Sequence, residues 1–125
     1  MQKRILVVED EKNIREAIVD TLVLNNFLTL EAKDGEEGLE TALREHPDLI
    51  IADVLMPKID GMKMIKRIRE DEWGKDVPVI VLTNFNATDE QMINNIVLVK
   101  PLHYFIKTDW DIHDVVKEVH KVLER

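Results

Sequence analysis

Cysteine is absent from the 125 residues, which excludes disulfides, thiol chemistry and cysteine-ligated metal. Long apolar runs are absent as well. The longest, residues 5–8, 49–52, 77–82 and 96–99, fall far short of the roughly 20 residues that a membrane-spanning helix needs, so no membrane insertion is expected. No basic-then-apolar leader precedes Ile5, so no signal peptide is expected, and a reducing, cytoplasmic location fits. Positive charge is in deficit: 17 Lys and Arg stand against 25 Asp and Glu, for a net charge of −8. Nucleic acid would repel such a chain, so no direct nucleic-acid partner is expected. A divalent cation or a basic partner would be attracted.

What is present fits one globular domain. A chain of this length buries roughly two-thirds of its unfolded surface, and 45% hydrophobic with 34% charged residues argues against disorder. The charge is uneven: residues 31–48 hold seven acids and two bases, and residues 58–70 hold five bases and two acids. Both read as solvated helix faces. There is no internal repeat, low-complexity tract or linker. The four prolines, Pro47, Pro57, Pro78 and Pro101, all sit at edges of apolar runs, where a residue without an N–H interrupts ladders and helices.

Five apolar runs read as strands: residues 4–8, 27–31, 49–52, 78–82 and 103–106. Three are continuous and β-branched, as central parallel strands buried on both faces should be; residues 27–31 are weaker and suit an edge. Helical periodicity fills the gaps. One face is Ile14, Ala17, Ile18, Thr21 and Leu22, and another is Leu39, Ala42 and Leu43. Met62, Ile65 and Ile68 follow, opened by Asp60-Gly61 and closed near Gly74. Thr88-x-x-Gln91 has capping-box spacing before Met92, Ile93 and Ile96. The last stripe is Ile112, Val115, Val116, Val119, Val122 and Leu123, with Asp109 as the expected N-cap.

The order is therefore βα repeated five times, which predicts an α/β fold: a doubly wound parallel sheet with helices on both faces and right-handed crossovers. Ligands of such sheets bind beyond the carboxyl ends of the strands. Here the first strand runs into Glu9-Asp10, the third into Asp53, the fourth into Thr83 and the fifth into Lys107. If the first and third strands are neighbours, three carboxylates converge and repel one another unless a cation sits among them. Oxygen-only ligands select a hard ion, and few carboxylates plus water suit Mg²⁺. Thr83 and Lys107 add a hydroxyl and an ammonium, a clamp for an anion with several oxygens such as a phosphoryl group.

The residues ILVVEDE at 5–11, DVLMPKIDG at 53–61, VIVLT ending at Thr83 and YFIK ending at Lys107 give the chain a resemblance to response-regulator receiver domains of the chemotaxis-regulator, flavodoxin-like type. The resemblance covers nearly the whole chain, from Lys3 to Leu123, so a single receiver domain over residues 1–125 with no output domain is expected. It implies a sheet in the order 2-1-3-4-5. It implies that Asp53 accepts a phosphoryl group from a histidine kinase or phosphotransfer protein, in a phosphorelay. Glu9, Asp10 and Asp53 would hold Mg²⁺ with the main-chain carbonyl of Leu55. Thr83, Lys107 and the Asn84 backbone would bind phosphoryl oxygens, and Tyr104 would switch with Thr83. The signal would pass to the surface of the fourth helix, fifth strand and fifth helix, where a downstream protein or a second copy would dock. Leu55 and Phe85 take the places that tune hydrolysis of the acyl phosphate.

The sequence departs from that pattern at Thr108, where proline is usual, at Asn84, where a small residue is usual, and at Lys100-Pro101-Leu102 in place of Gly-Ala. Two other functions remain open on the residues alone. One is a phosphorylation-independent interaction domain. The other is a metal-dependent phosphohydrolase, against which Asp53-Val54-Leu55 lacks the second aspartate of D-x-D hydrolases. Asp60 reads as a turn or cap residue, Met56, Met62 and Met64 as packing residues, and His113 and His120 as surface residues. Lys63, Lys66, Arg67 and Arg69 read as a solvated face, and Trp73 and Trp110 as covers at helix ends.

Overall fold

Three five-residue strands, each with four consecutive apolar residues, make the centre of the sheet: β1 (Arg4–Val8), β3 (Leu49–Asp53) and β4 (Val79–Thr83). A computed structural model describes residues 2–53, 61–83, 103–106 and 111–124, with Thr83 and residues 103–106 described as backbone. β2 (Leu28–Ala32) flanks β1, and β5 (His103–Ile106) flanks β4, giving a parallel sheet in the order β2-β1-β3-β4-β5. α1 (Lys12–Leu24), α2 (Gly35–Glu45), α3 (Gly61–Glu70) and the last helix (Ile112–Leu123) cover it. The expected fourth helix, with its Thr88–Gln91 capping box, and Asp60, Met56 and Trp110 lie outside the described residues.

Side chains alternate across the sheet, and the core divides accordingly. Leu6, Val8, Ile50, Ala52, Val79 and Val81 pack with Ala42 of α2 and with Met62, Met64, Ile65 and Ile68 of α3. On the opposite face Ile5, Val7, Leu49, Ile51, Ile80 and Leu82 meet Ile18 and Leu22 of α1 and Val115, Val116 and Val119 of the last helix. Both faces are covered, so the central strands carry continuous apolar runs, while edge strand β2 is only partly buried. Met62 and Met64 are packing residues, as expected.

Several boundaries differ from expectation for identifiable reasons. The second strand starts at Leu28 because the N–H of Phe27 is spent on the carbonyl of Leu22 at the end of α1, at 3.1 Å. The fourth starts at Val79 because Pro78 has no N–H to donate, although its carbonyl accepts from Ile50 N at 3.0 Å. The third continues to Asp53, which pairs with Leu82. α3 stops at Glu70, and a 3-10 turn (Trp73–Lys75) carries Gly74. The N-cap of the last helix is Asp111, whose Oδ1 accepts from His113 N at 2.7 Å, and not Asp109. Only the residue directly before the first helical turn can reach those amides.

Two surface expectations also change, at Arg69 and His120. Arg69 is half-buried, and its Nη1 donates to the carbonyls of Gly74 (2.8 Å) and Val77 (2.7 Å), tying α3 to the approach to β4. His120 is half-buried: its Nε2 faces Asn25 Oδ1 at 3.1 Å, its Nδ1 faces Glu124 Oε1 at 3.0 Å, and its ring lies 4.9 Å from that of Phe27. It thus joins the last helix to the end of α1, whereas His113 is exposed as expected. Trp73 does act as a cover: its ring stacks on His46 at 4.5 Å and packs on the α2–α3 side of the core. His46 closes α2 with a left-handed backbone, φ 48°. No helix among the described residues is long and apolar enough to cross a membrane.

Candidate functional site

The register places the acids. Val8 pairs with Ala52, so the next residue on each strand, Glu9 after β1 and Asp53 at the end of β3, reaches the same edge of the sheet. Glu9 is fully buried, Asp53 is 2% exposed, and Asp10 is exposed. One carboxylate oxygen from each lies within 4.8 Å of the others. This is the convergence expected from the strand order.

The turn that carries Glu9 and Asp10 is held through its main chain. Glu9 N–H donates to Ala32 O of β2 at 3.0 Å. Glu9 O accepts from Arg15 Nη1 of α1 at 2.9 Å. Glu11 N–H donates to Glu9 Oε1 at 3.3 Å, and Glu11 is the residue before the first turn of α1.

Three carboxylates this close, two of them shielded from water, repel one another unless positive charge lies among them. The donors are oxygen only, with no histidine in the group, so a hard cation fits. Three carboxylates suit Mg²⁺, which binds through a few carboxylates and keeps other positions for water or phosphoryl oxygens. The residues present therefore fit the metal.

The other expected site residues are placed less fully. Thr83 closes β4 and pairs with Ile106, and Tyr104 lies in β5 opposite Val81, both as backbone. Thr83 is thus one strand beyond Asp53, whose partner on β4 is the preceding residue, Leu82. Leu55, Asn84, Phe85, Lys107 and Thr108 lie outside the described residues. Arg15 was missed by the sequence reading. Its bond to Glu9 is to a main-chain oxygen, and nothing in the spacing of α1 distinguishes it from a solvated helix residue.

A family model described as the response regulator receiver domain matches residues 5–120. The chain belongs to that family. A receiver domain is a signalling module of two-component systems and not an enzyme, which sets aside the phosphohydrolase reading. Response regulator MprA of Mycobacterium leprae is 36% identical over 89 residues, a match covering 71% of this chain and 38% of that protein. The chain thus spans well under half the length of that regulator. Among solved structures, chemotaxis protein CheY4 of Vibrio cholerae superposes with a TM-score of 0.87 at 25% identity, covering 98% of this chain and 99% of that one. The receiver domain of sensor histidine kinase PA1611 from Pseudomonas aeruginosa superposes with a TM-score of 0.80 at 26% identity, covering 97% of each chain. That receiver carries a magnesium ion coordinated in its active-site cleft, and the Glu9–Asp10–Asp53 cluster resembles such a site.

Proposed function

We propose that this receiver domain, formed by residues 1–125, is a phosphorylation switch and that Asp53 is its phosphoacceptor. The observation that carries the reading is the position of the Asp53 carboxylate: buried, at a strand end, within 4.8 Å of oxygens of Glu9 and Asp10. The donor would be a histidine kinase or a phosphotransfer protein in the cytoplasm. A carboxylate oxygen of Asp53 attacks phosphorus, and the phosphorus–nitrogen bond to the donor imidazole breaks with its electron pair passing to nitrogen. Glu9, Asp10 and Asp53, with the Leu55 carbonyl, would hold Mg²⁺. Bound there, the metal supplies charge neutralisation for the phosphoryl oxygens. The Thr83 hydroxyl, the Lys107 ammonium and the Asn84 N–H would take the remaining oxygens. The new charge of about −1.5 to −2 would draw Thr83 inward and bring Tyr104 with it, altering the surface of the fourth helix, β5 and the last helix. A downstream protein or a second copy of the chain would read that surface.

Incubation with Mg²⁺ and acetyl phosphate, followed by intact-protein mass spectrometry, tests the reading. One phosphoryl group should be added to the native chain and none to Asp53→Asn. Repeated turnover of phosphate esters would instead identify a hydrolase. No modification, together with no structural response to beryllofluoride, would leave a phosphorylation-independent interaction domain, the function for which Asn84 and Thr108 speak.

The lifetime of the phosphorylated state should depend on Leu55 and Phe85. Two apolar side chains at these positions would exclude water from the acyl phosphate, so the doubly substituted Leu55→Asn, Phe85→Ser chain should lose its phosphoryl group about tenfold faster, a barrier change of about 1.4 kcal/mol. Slower loss in that variant would show that these residues do not screen the site.

A further inference from the structure

Arg15 joins three elements at the edge of the acidic site. Its Nη1 donates to the carbonyl of Glu9 at 2.9 Å, and its Nε donates to Glu31 Oε1 of β2 at 3.2 Å. The Arg15 side chain is 17% exposed and that of Glu31 48%. Glu31 pairs with Val7, and the next residue, Ala32, accepts the N–H of Glu9. The main chain of Glu9 is therefore held on both sides, by β2 through its N–H and by a guanidinium anchored on β2 through its C=O.

We propose that Arg15 and Glu31 form a positioning pair for the Mg²⁺ site, acting through the Glu9–Asp10 peptide; this rests on the metal-binding part of the function proposed above. The Glu9 carbonyl belongs to the peptide plane that leads into Asp10. Rotation of that plane moves the Asp10 carboxylate relative to those of Glu9 and Asp53. Asp10 is exposed, so packing does little to place it, whereas a charge-assisted hydrogen bond to the preceding carbonyl does. The two partners carry opposite charges 3.2 Å apart, so the pair as a whole adds no net charge. The pair therefore acts by geometry, and not by adding a positive charge, which alone would oppose cation binding.

Calorimetric titration with Mg²⁺ separates the two effects. The comparison uses the native chain, Arg15→Gln, Arg15→Lys and the charge-neutral double variant Arg15→Gln/Glu31→Gln, each also melted in EDTA. Loss of an outer partner of a metal ligand costs about 10-fold or more in affinity, so the double variant should bind Mg²⁺ about 10-fold more weakly. Arg15→Lys should fall between it and the native chain, because a point charge reaches the Glu9 carbonyl without also holding Glu31. Melting in EDTA should change little, as expected for a partly exposed pair.

Affinity of the double variant within about twofold of native, against the 10-fold expected for an outer partner, would overturn the proposal. So would tighter binding by Arg15→Gln, which would reveal a plain charge effect. A native chain that binds no Mg²⁺ would overturn the positioning pair and the proposed function together. A native chain that binds Mg²⁺ but takes no phosphoryl group would overturn the function alone.

Discussion

Asp53→Asn should raise the melting temperature of the metal-free chain and remove most of the stabilisation that Mg²⁺ gives. The carboxylate oxygens of Glu9, Asp10 and Asp53 lie within 4.8 Å of one another, and two of the three groups are almost wholly buried. Two unit charges at such a separation interact by about 3 to 4 kcal/mol at the effective dielectric of 20 that suits protein sites. Asparagine keeps the shape and one acceptor oxygen while removing a charge. A gain of about 2 kcal/mol without metal is expected once the lost charge-assisted hydrogen bonds of the carboxylate are set against the relief. With Mg²⁺ the order should reverse. A ligand present at 100 times its dissociation constant adds about 2.7 kcal/mol to the state that binds it, and the variant would lack one of the three proposed anionic ligands. Melts in EDTA and in saturating Mg²⁺ should therefore cross. A variant less stable than native in EDTA would show that the carboxylates do not strain the metal-free fold. Equal stabilisation of both proteins by Mg²⁺ would show that Asp53 is not a ligand.

The same three acids show why so much of this site was legible in the sequence. Glu9 and Asp53 each directly follow an apolar run and Asp10 follows Glu9; a parallel sheet delivers every strand end to one edge, so the run boundaries at Val8 and Ala52 predict convergence once β1 and β3 are adjacent. The central strands were legible for a related reason: burial on both faces demands continuous apolar residues, and little else in a soluble chain does. Boundaries were less legible because they depend on where single N–H groups go. Phe27 is apolar and suits a strand, yet its amide closes α1. Asp109 and Asp111 are equally good caps by composition, and only the start of the helix at Ile112 decides between them. Arg15 and Arg69 were illegible because their contacts to Glu9, Gly74 and Val77 are made to main-chain carbonyls, which leave no mark in the sequence, and the side-chain partner of Arg15, Glu31, lies on a different element.

Gly74→Ala should be the most damaging of the conservative changes in the connection from α3 to β4. Gly74 is buried in the 3-10 turn, and a Cβ built on it would lie 2.0 Å from the carbonyl oxygen of Ile68 and 2.7 Å from Ile68 Cγ2. That oxygen is main chain in the last turn of α3 and already accepts from Asp71 N at 3.1 Å, so it cannot step aside without disturbing the helix end. Displacing the turn instead would pull the Gly74 carbonyl away from Arg69. Burial holds the Arg69 guanidinium below its ordinary value, partly opposed by the Asp76 carboxylate, so its carbonyl partners are costly to lose. The neighbouring Trp73–His46 stack would shift as well. Overpacking against a fixed backbone atom with loss of buried hydrogen bonds should cost about 3 kcal/mol or more. Gly38→Ala is the matched comparison. Its Cβ would meet Met64 Sδ at 2.6 Å and Val8 Cγ1 at 2.9 Å, both side-chain atoms. A thioether can move where a helix carbonyl cannot, so about 1 to 2 kcal/mol is expected there. Urea midpoints of the two variants should rank them in that order. A Gly74→Ala chain as stable as Gly38→Ala would mean that the turn relaxes freely and that the Arg69 anchors do not fix it.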